Sequence, residues 1–268
     1  MMMKKYLLSM GLLIGVVAVN AQDRLFTYTY QSNVNSKGQK ELEVWSTMHN
    51  GRDNFYRAFD HTLEFEIGLG SKLQTSFYLN YGYSKGIETN AGVDNLFSNN
   101  DYSFSNEWKL KLSDPVANTI GSAVYFEYKL GTSETELEAK IILDKQIGKT
   151  LQCINIVGEN EFEKNFETSG SKIKAENESE WKFEFNYGFS YQLNKNLAFG
   201  IEARNQNIVD DKVWEFSVLS AGPCISYNHE GFWMNLTILP QISNLKSSKR
   251  ELTENEKLQT RLIFAYVL

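Results

Sequence analysis

Glu180-Trp181-Lys182-Phe183-Glu184-Phe185-Asn186-Tyr187-Gly188-Phe189-Ser190-Tyr191-Gln192-Leu193 decides the fold. Trp181, Phe183, Phe185, Tyr187, Phe189, Tyr191 and Leu193 take every odd position, and charged, polar or small residues take every even one. Successive side chains of a strand point to opposite faces, so this stretch makes a strand with one apolar and one polar face. The same alternation recurs at 63–69, 73–83, 107–112, 126–130, 136–144 and 197–204.

Extending outward from these stretches predicts twelve strands, at 40–47, 60–69, 73–83, 102–112, 124–131, 134–144, 150–160, 179–193, 197–205, 213–227, 232–240 and 258–268. Such lengths suit tilted strands that cross a membrane in about 9–11 residues. Connections after the even-numbered strands are mostly tight turns. Those after the odd-numbered ones are mostly longer: 48–59, 84–101, 161–178, 206–212 and 241–257, with only 132–133 departing. Short turns at one end and long loops at the other is the arrangement of outer-membrane barrels, and an even count puts both termini on the short-turn side. Phe26-Thr27-Tyr28-Thr29-Tyr30 reads as an extra short strand or an ordered lead-in, so counts of 10 or 14 stay open. Pro223 suggests a bulge or a strand end.

The expected fold is an all-β, transmembrane, antiparallel up-and-down β-barrel. A soluble sandwich also alternates, but turns Val, Ile and Leu inward to a core. Here Tyr 14, Phe 17 and Trp 5 dominate many apolar positions, and the opposite face is dense in charge. In lipid only a closed barrel satisfies every backbone N–H and C=O of a sheet. Trp45, Tyr83, Tyr102, Trp108, Trp181, Tyr191, Trp233 and Tyr266 fit interfacial girdles. Leu262, Phe264, Tyr266 and Leu268 share one face of the closing strand, which makes 258–268 the expected contact for the barrel-assembly machinery.

Lys4 and Lys5, an apolar stretch from Tyr6 to Val19, and Ala21 give the three parts of an export signal. Residues 1–21 are expected to be removed, leaving 22–268 as the barrel, in outer-membrane lipid. The net charge of −6, made more acidic by losing two lysines, argues against a nucleic-acid partner. Cys153 and Cys224 fall on separate strands. Whether they pair is open, with unpaired wall residues the simpler reading.

Glu43-Val44-Trp45, Gly51-Arg52, Phe59-Asp60-His61, Leu63-Glu64-Phe65-Glu66, Gly68-Leu69 and Leu73 to Asn80 resemble the opening of an uncharacterised outer-membrane β-barrel family, as do Ser113-Asp114-Pro115 and Gly121 to Tyr128. That family is distantly similar to barrels associated with aromatic (meta-cleavage) degradation pathways. The resemblance covers about residues 25–130. It implies an outer-membrane location and transport, and carries over no catalytic residues.

The polar faces supply the lumen candidates: Glu41, Glu43, Glu64, Glu66, Glu107, Lys109, Glu127, Lys129, Glu138, Lys140, Glu180, Lys182, Glu184, Glu202, Arg204 and Arg261. Their acidic excess fits a narrow channel for small solutes that favours cations. The alternative is a non-conducting barrel, structural or partner-binding, whose lumen is closed by ion pairs, because side chains fill small barrels. Glu41, Glu43, Glu64 and Glu66 lie on neighbouring strands and call for a cation, with Arg261 expected to serve before Arg52 or Arg57. No catalytic residues and no cofactor are indicated. A barrel lipase would need a Ser–His pair on the outer wall, and the spacing of His61 with Ser46 or Ser103 does not support one. His49 and His61, with Asp53 and Asp60 between them, lack strong metal-ligand spacing.

Overall fold

A computed structural model describes residues 24–90, 92–132, 134–169, 172–247 and 249–268. The expected export signal, 1–21, lies outside the described residues. All twelve expected strands form: β1 (Lys40–Asn50), β2 (Tyr56–Gly68), β3 (Leu73–Asn90), β4 (Val93–Ser113), β5 (Gly121–Gly131), β6 (Glu134–Ile147), β7 (Thr150–Ser169), β8 (Lys172–Gln192), β9 (Leu197–Asp210), β10 (Val213–His229), β11 (Phe232–Asn244) and β12 (Leu258–Val267). Each pairs antiparallel with its sequence neighbours. β12 returns to β1, from Glu41 opposite Val267 to Asn50 opposite Leu258, closing the barrel. The described residues contain no helix.

Alternation sets which side chains face out. Leu63, Phe77, Leu79, Phe104, Trp108, Phe183, Phe185 and Phe264 are each more than a third exposed on the outer surface. A continuous apolar exterior of this kind needs lipid rather than water around it. Tyr102, Trp108, Trp181, Tyr191 and Tyr266 are outward and exposed, as a girdle requires. Trp45 and Trp233 depart from that expectation. They share the inward parity of Glu43 and Asn235, and pack with Ile263 and Ala265 inside the lumen.

The two ends differ in a way the sequence misstates. At the end where β1 starts and β12 finishes, turns such as Gly148-Lys149 and Glu230-Gly231 are tight, as expected. At the other end most of the expected long loops are extensions of the strands themselves. β3 and β4 run on until Asn90 pairs with Val93, β7 and β8 until Ser169 pairs with Lys172, and β9 and β10 turn at Asp211-Lys212. Their polar sequences hid the pairing, because a hairpin beyond the apolar belt meets water on both faces and loses its alternation. Only 51–55 and 245–257 remain as longer loops there, and they are bonded to each other through Asp53 N–H to Leu252 O and Lys257 N–H to Gly51 O. β10 continues through Pro223. Its register shifts at Leu219/Ser220 against β11 and at Trp214/Phe216 against β9, and the pairing to β11 skips Ala221–Pro223.

Candidate functional site in the lumen

The lumen is filled at the tight-turn end by residues 24–36, which form no strand. Phe26 to Tyr30 is therefore an ordered lead-in, folded inside the barrel, and the strand count stays at twelve. A buried segment outside the sheet must still pair its backbone N–H and C=O groups. Here inward side chains of the wall do so, strand after strand. Ser226 of β10 and Asn235 of β11 donate to the carbonyl of Arg24 at 3.2 and 2.6 Å. The Glu202 carboxylate of β9 accepts the amides of Thr27, Tyr28 and Thr29 at 3.0, 2.9 and 2.8 Å, with the hydroxyls of Thr27 and Thr237 added at 3.2 and 2.5 Å. Asn155 of β7 both accepts from the Tyr30 amide, at 2.6 Å, and donates to its carbonyl, at 2.9 Å. Asp144 of β6 accepts from the Ser32 amide and hydroxyl at 2.8 and 2.7 Å. Gln74 of β3 accepts the Asn35 amide at 2.8 Å, and the Gly38 amide reaches Gly68 O of β2 at 2.8 Å. The segment thus follows the inner wall from β10 and β11 round to β2 before β1 begins.

Aromatic contacts add to these bonds. Phe26 is fully buried against Leu151 and Cys153 of β7 and Cys224 of β10. Gly188 of β8 makes room for it, since a Cβ there would stand 2.9 Å from the ring. Tyr30 meets Tyr125 edge-on at 5.3 Å, with Arg24 over its ring at 4.5 Å and Lys140 at 4.0 Å. Arg261 lies 4.0 Å over Tyr28. Both cysteines are free and buried.

Every lumen candidate takes the inward parity of its strand. Glu41, Glu43, Glu64, Glu66, Glu107, Lys109, Glu184 and Glu202 are buried, while Glu127, Lys129, Glu138, Lys140, Glu180, Lys182, Arg204 and Arg261 are partly buried. They separate into groups. Arg204 grips Glu184 with two bonds, at 2.5 and 3.0 Å, and Lys182 bridges Glu159 and Glu184 at 3.0 and 3.6 Å. Lys129 holds Glu134 and Glu136 at 2.8 and 2.6 Å, and Lys140 holds Glu138 at 2.8 Å. Tyr78 donates to Glu107 and Tyr125 to Glu127.

The first acidic group lacks such pairing. Glu41 stands opposite Glu66 and Glu43 opposite Glu64 in the β1–β2 register. Their cation is Arg24, 3.6 Å from Glu43, and not Arg261. Arg261 donates to Thr47 at 2.8 Å and to Thr27 O at 3.3 Å, drawn away by the lead-in. Arg52 pairs with Glu256 at 2.6 Å, and Arg57 is exposed. The indoles of Trp233 and Trp45 donate to Glu41 and Glu43.

Towards the hairpin end the lumen opens into a vestibule of about 300 Å³, lined among others by Thr47, Asp60, Asn80, Asp101, Glu127, Lys129 and Arg261. The histidines part company near its mouth. His49 is bonded to Asp60 at 2.7 Å and to Glu256 at 3.3 Å, while His61 stacks with Phe59 and Tyr81. They share no metal site. His61 faces Ser46 across the register without a hydrogen bond between them, and Ser103 has the inward parity of Ser105.

Sequence reasoning missed the lead-in's role and the amides that hold it, chiefly Asn35, Gln74, Asn155 and Asn235. One signal was present: an aromatic, nearly uncharged stretch ahead of an even, self-closing set of strands has no sheet edge to join.

No curated protein matches the chain. Among solved structures, the COG4313 outer membrane channel from Pseudomonas putida F1 is similar at 9% identity and TM-score 0.64, covering 91% of this chain and 100% of that one. The KdgM porin in complex with disordered oligogalacturonate is similar at 7% identity and TM-score 0.54, over 84% of this chain and 98% of the porin. The β domain of the Bordetella autotransporter BrkA is similar at 7% identity and TM-score 0.57, over 87% and 100%. At such identities the likeness is one of fold, that of outer-membrane barrels. The family match extends well past the 25–130 stretch that carried the resemblance: the chain belongs to the family of unknown function DUF6662, over residues 18–268.

Proposed function

We propose that this protein is an outer-membrane channel for small solutes, entered through the vestibule and closed at the tight-turn end by its own residues 24–36. One observation carries the reading. The blockage is a separate segment held by side-chain hydrogen bonds, not a wall whose own side chains interlock across the lumen. Such a plug can leave without breaking a strand ladder. In the vestibule, Lys129 is committed to Glu134 and Glu136 and Asp60 to His49, so Asp101 and Glu127, whose donors are the uncharged hydroxyls of Thr132 and Tyr125, outnumber Arg261 and favour cations or basic solutes. The resemblance to barrels of aromatic-degradation pathways adds small aromatic solutes, and Trp45, which lines the vestibule, is the aromatic side chain they would meet there. Residues 1–21 are the removed export signal, outer-membrane lipid surrounds the barrel, and 258–268 is the contact for the assembly machinery.

A second reading, a non-conducting barrel, is favoured by the ion-pair groups around Lys182 and Lys129. Planar-bilayer recording separates the two. The intact chain should conduct weakly. Deleting 24–36, or replacing Glu202 by Ala to remove the shared anchor of Thr27 to Thr29, should raise conductance severalfold. If all three proteins stay silent across salts and voltages, the channel reading fails.

A further inference from the structure

We propose that Glu41, Glu43, Glu64 and Glu66, capped by Asn35, form a binding site for one hard divalent cation, Ca²⁺. The carboxylate oxygens of Glu41, Glu43 and Glu66 all lie within 4.8 Å of one another, and all three residues are buried. Oxygens around one Ca²⁺ at about 2.3–2.6 Å fall within such a span. A small cavity, of about 20 Å³, lies among Glu41, Glu43, Glu66, Arg24 and Lys109. That is room for a single water or ion.

The donor count around the cluster points the same way. Glu64 is 0% exposed, and among the described residues the one group within hydrogen-bonding reach of its carboxyl is that of Glu66, which has no proton to give when both are ionised. What it faces across the register is Glu43, and its other close neighbour is Glu66. Asn35 is also fully buried. Its amide nitrogen donates into the cluster, to Glu66 at 2.8 Å and Glu41 at 3.5 Å, while its carbonyl oxygen has no donor. Orphaned buried oxygens cost roughly 1–3 kcal/mol each, more when charged, unless something positive sits between them. With Glu107 beside them, five buried carboxylates share two nearby cations, Arg24 and Lys109, so one divalent ion would offset most of the excess negative charge. An all-oxygen, water-poor site suits Ca²⁺ better than Mg²⁺, which keeps its water and demands octahedral order. Because Asn35 belongs to the lead-in, the ion would also tie that segment to β1 and β2. The site does not depend on whether the barrel conducts.

The test is calorimetric titration of the full chain, folded in detergent micelles and stripped with EDTA, using CaCl₂ and, separately, MgCl₂. One Ca²⁺ per barrel is expected, with Mg²⁺ about tenfold weaker or worse. The double variant Glu64→Gln, Glu66→Gln should weaken Ca²⁺ binding by about tenfold or more, because affinity follows ligand charge. Glu178→Gln, an exposed carboxylate on the β8 hairpin, should leave it unchanged. Heat-modifiable gel migration confirms that each variant is folded. The proposal is overturned by an absence of Ca²⁺ binding to the folded wild type, or by binding that the double variant retains. It is equally overturned if infrared spectra show these carboxyls protonated regardless of Ca²⁺, since protons would then fill the cluster.

Discussion

Gly188 and Phe26 show how single residues define the lumen. In the sequence Gly188 occupies a polar-face position of the most regular strand and carries no other signal. In the barrel it is the floor of the Phe26 socket, and its missing Cβ is what admits the ring. The socket covers Cys153, which is fully buried, and this gives a direct probe of the plug. In the folded wild type Cys153 should resist an aqueous maleimide. Phe26→Ala opens the socket, and labelling of Cys153 should speed up by at least about tenfold, a loss of only about 1.4 kcal/mol of protection. Equal labelling rates in the two proteins would show that Phe26 does not shield the thiol. Most of the inward acidic residues were legible at this scale through period two, but Glu159 of β7, buried and paired with Lys182, was not, because the alternation blurs on that strand. Their partners were not: Arg24 displaces Arg261 because the lead-in brings its own cation.

Elements depart from sequence expectation mainly at their ends. Strand cores were legible because lipid outside and polar groups inside enforce alternation. The hairpin extensions were not, because water on both faces removes the enforcing condition. The two longer loops at that end are fastened together, and Glu256 is central to the fastening. Burial alone would raise its carboxyl, but the hydrogen bonds and charge of His49 and Arg52 outweigh that and hold it at about 2. Its ordinary value is about 4.3. A carboxyl lowered on folding contributes stability that is present above the unfolded value and lost as pH falls through the folded one. The wild type should therefore melt at a higher temperature than Glu256→Gln at pH 6, and the gap should close between about pH 4.5 and 2. A gap that is constant with pH would assign the effect to packing instead. Asp114 behaves likewise at the opposite end: Lys111 and the amides of Ala117 and Val116 hold it at about 2, which explains the Ser113-Asp114-Pro115 turn as a structural motif.

For the whole molecule, closure of β1 on β12 and the apolar exterior make one joint demand, a bilayer. The full chain should fractionate with outer membranes, and unboiled samples should migrate faster on a gel than boiled ones, because a closed ladder resists detergent until heated. Recovery as a soluble periplasmic protein would contradict this. The same closure explains why the lead-in turned inward. Neither β1 nor β12 has a free edge, so a polar-aromatic segment joined to β1 finds its hydrogen bonds only in the lumen.

The sequence by itself determined the antiparallel barrel and, along the regular strand cores, the face each residue takes, because alternation is a local consequence of backbone geometry; the count of twelve and the inward turn of Trp45 and Trp233 it left to the fold. Only the tertiary structure decided what fills the barrel. Whether an inward glutamate meets an arginine, an amide or another glutamate depends on strands far apart in the chain and on a segment outside the sheet. The stretch from Glu180 to Leu193 illustrates both. Its period gave the wall, and the lead-in determined that Gly188 would seat a ring while Glu184, four residues away, would take Arg204.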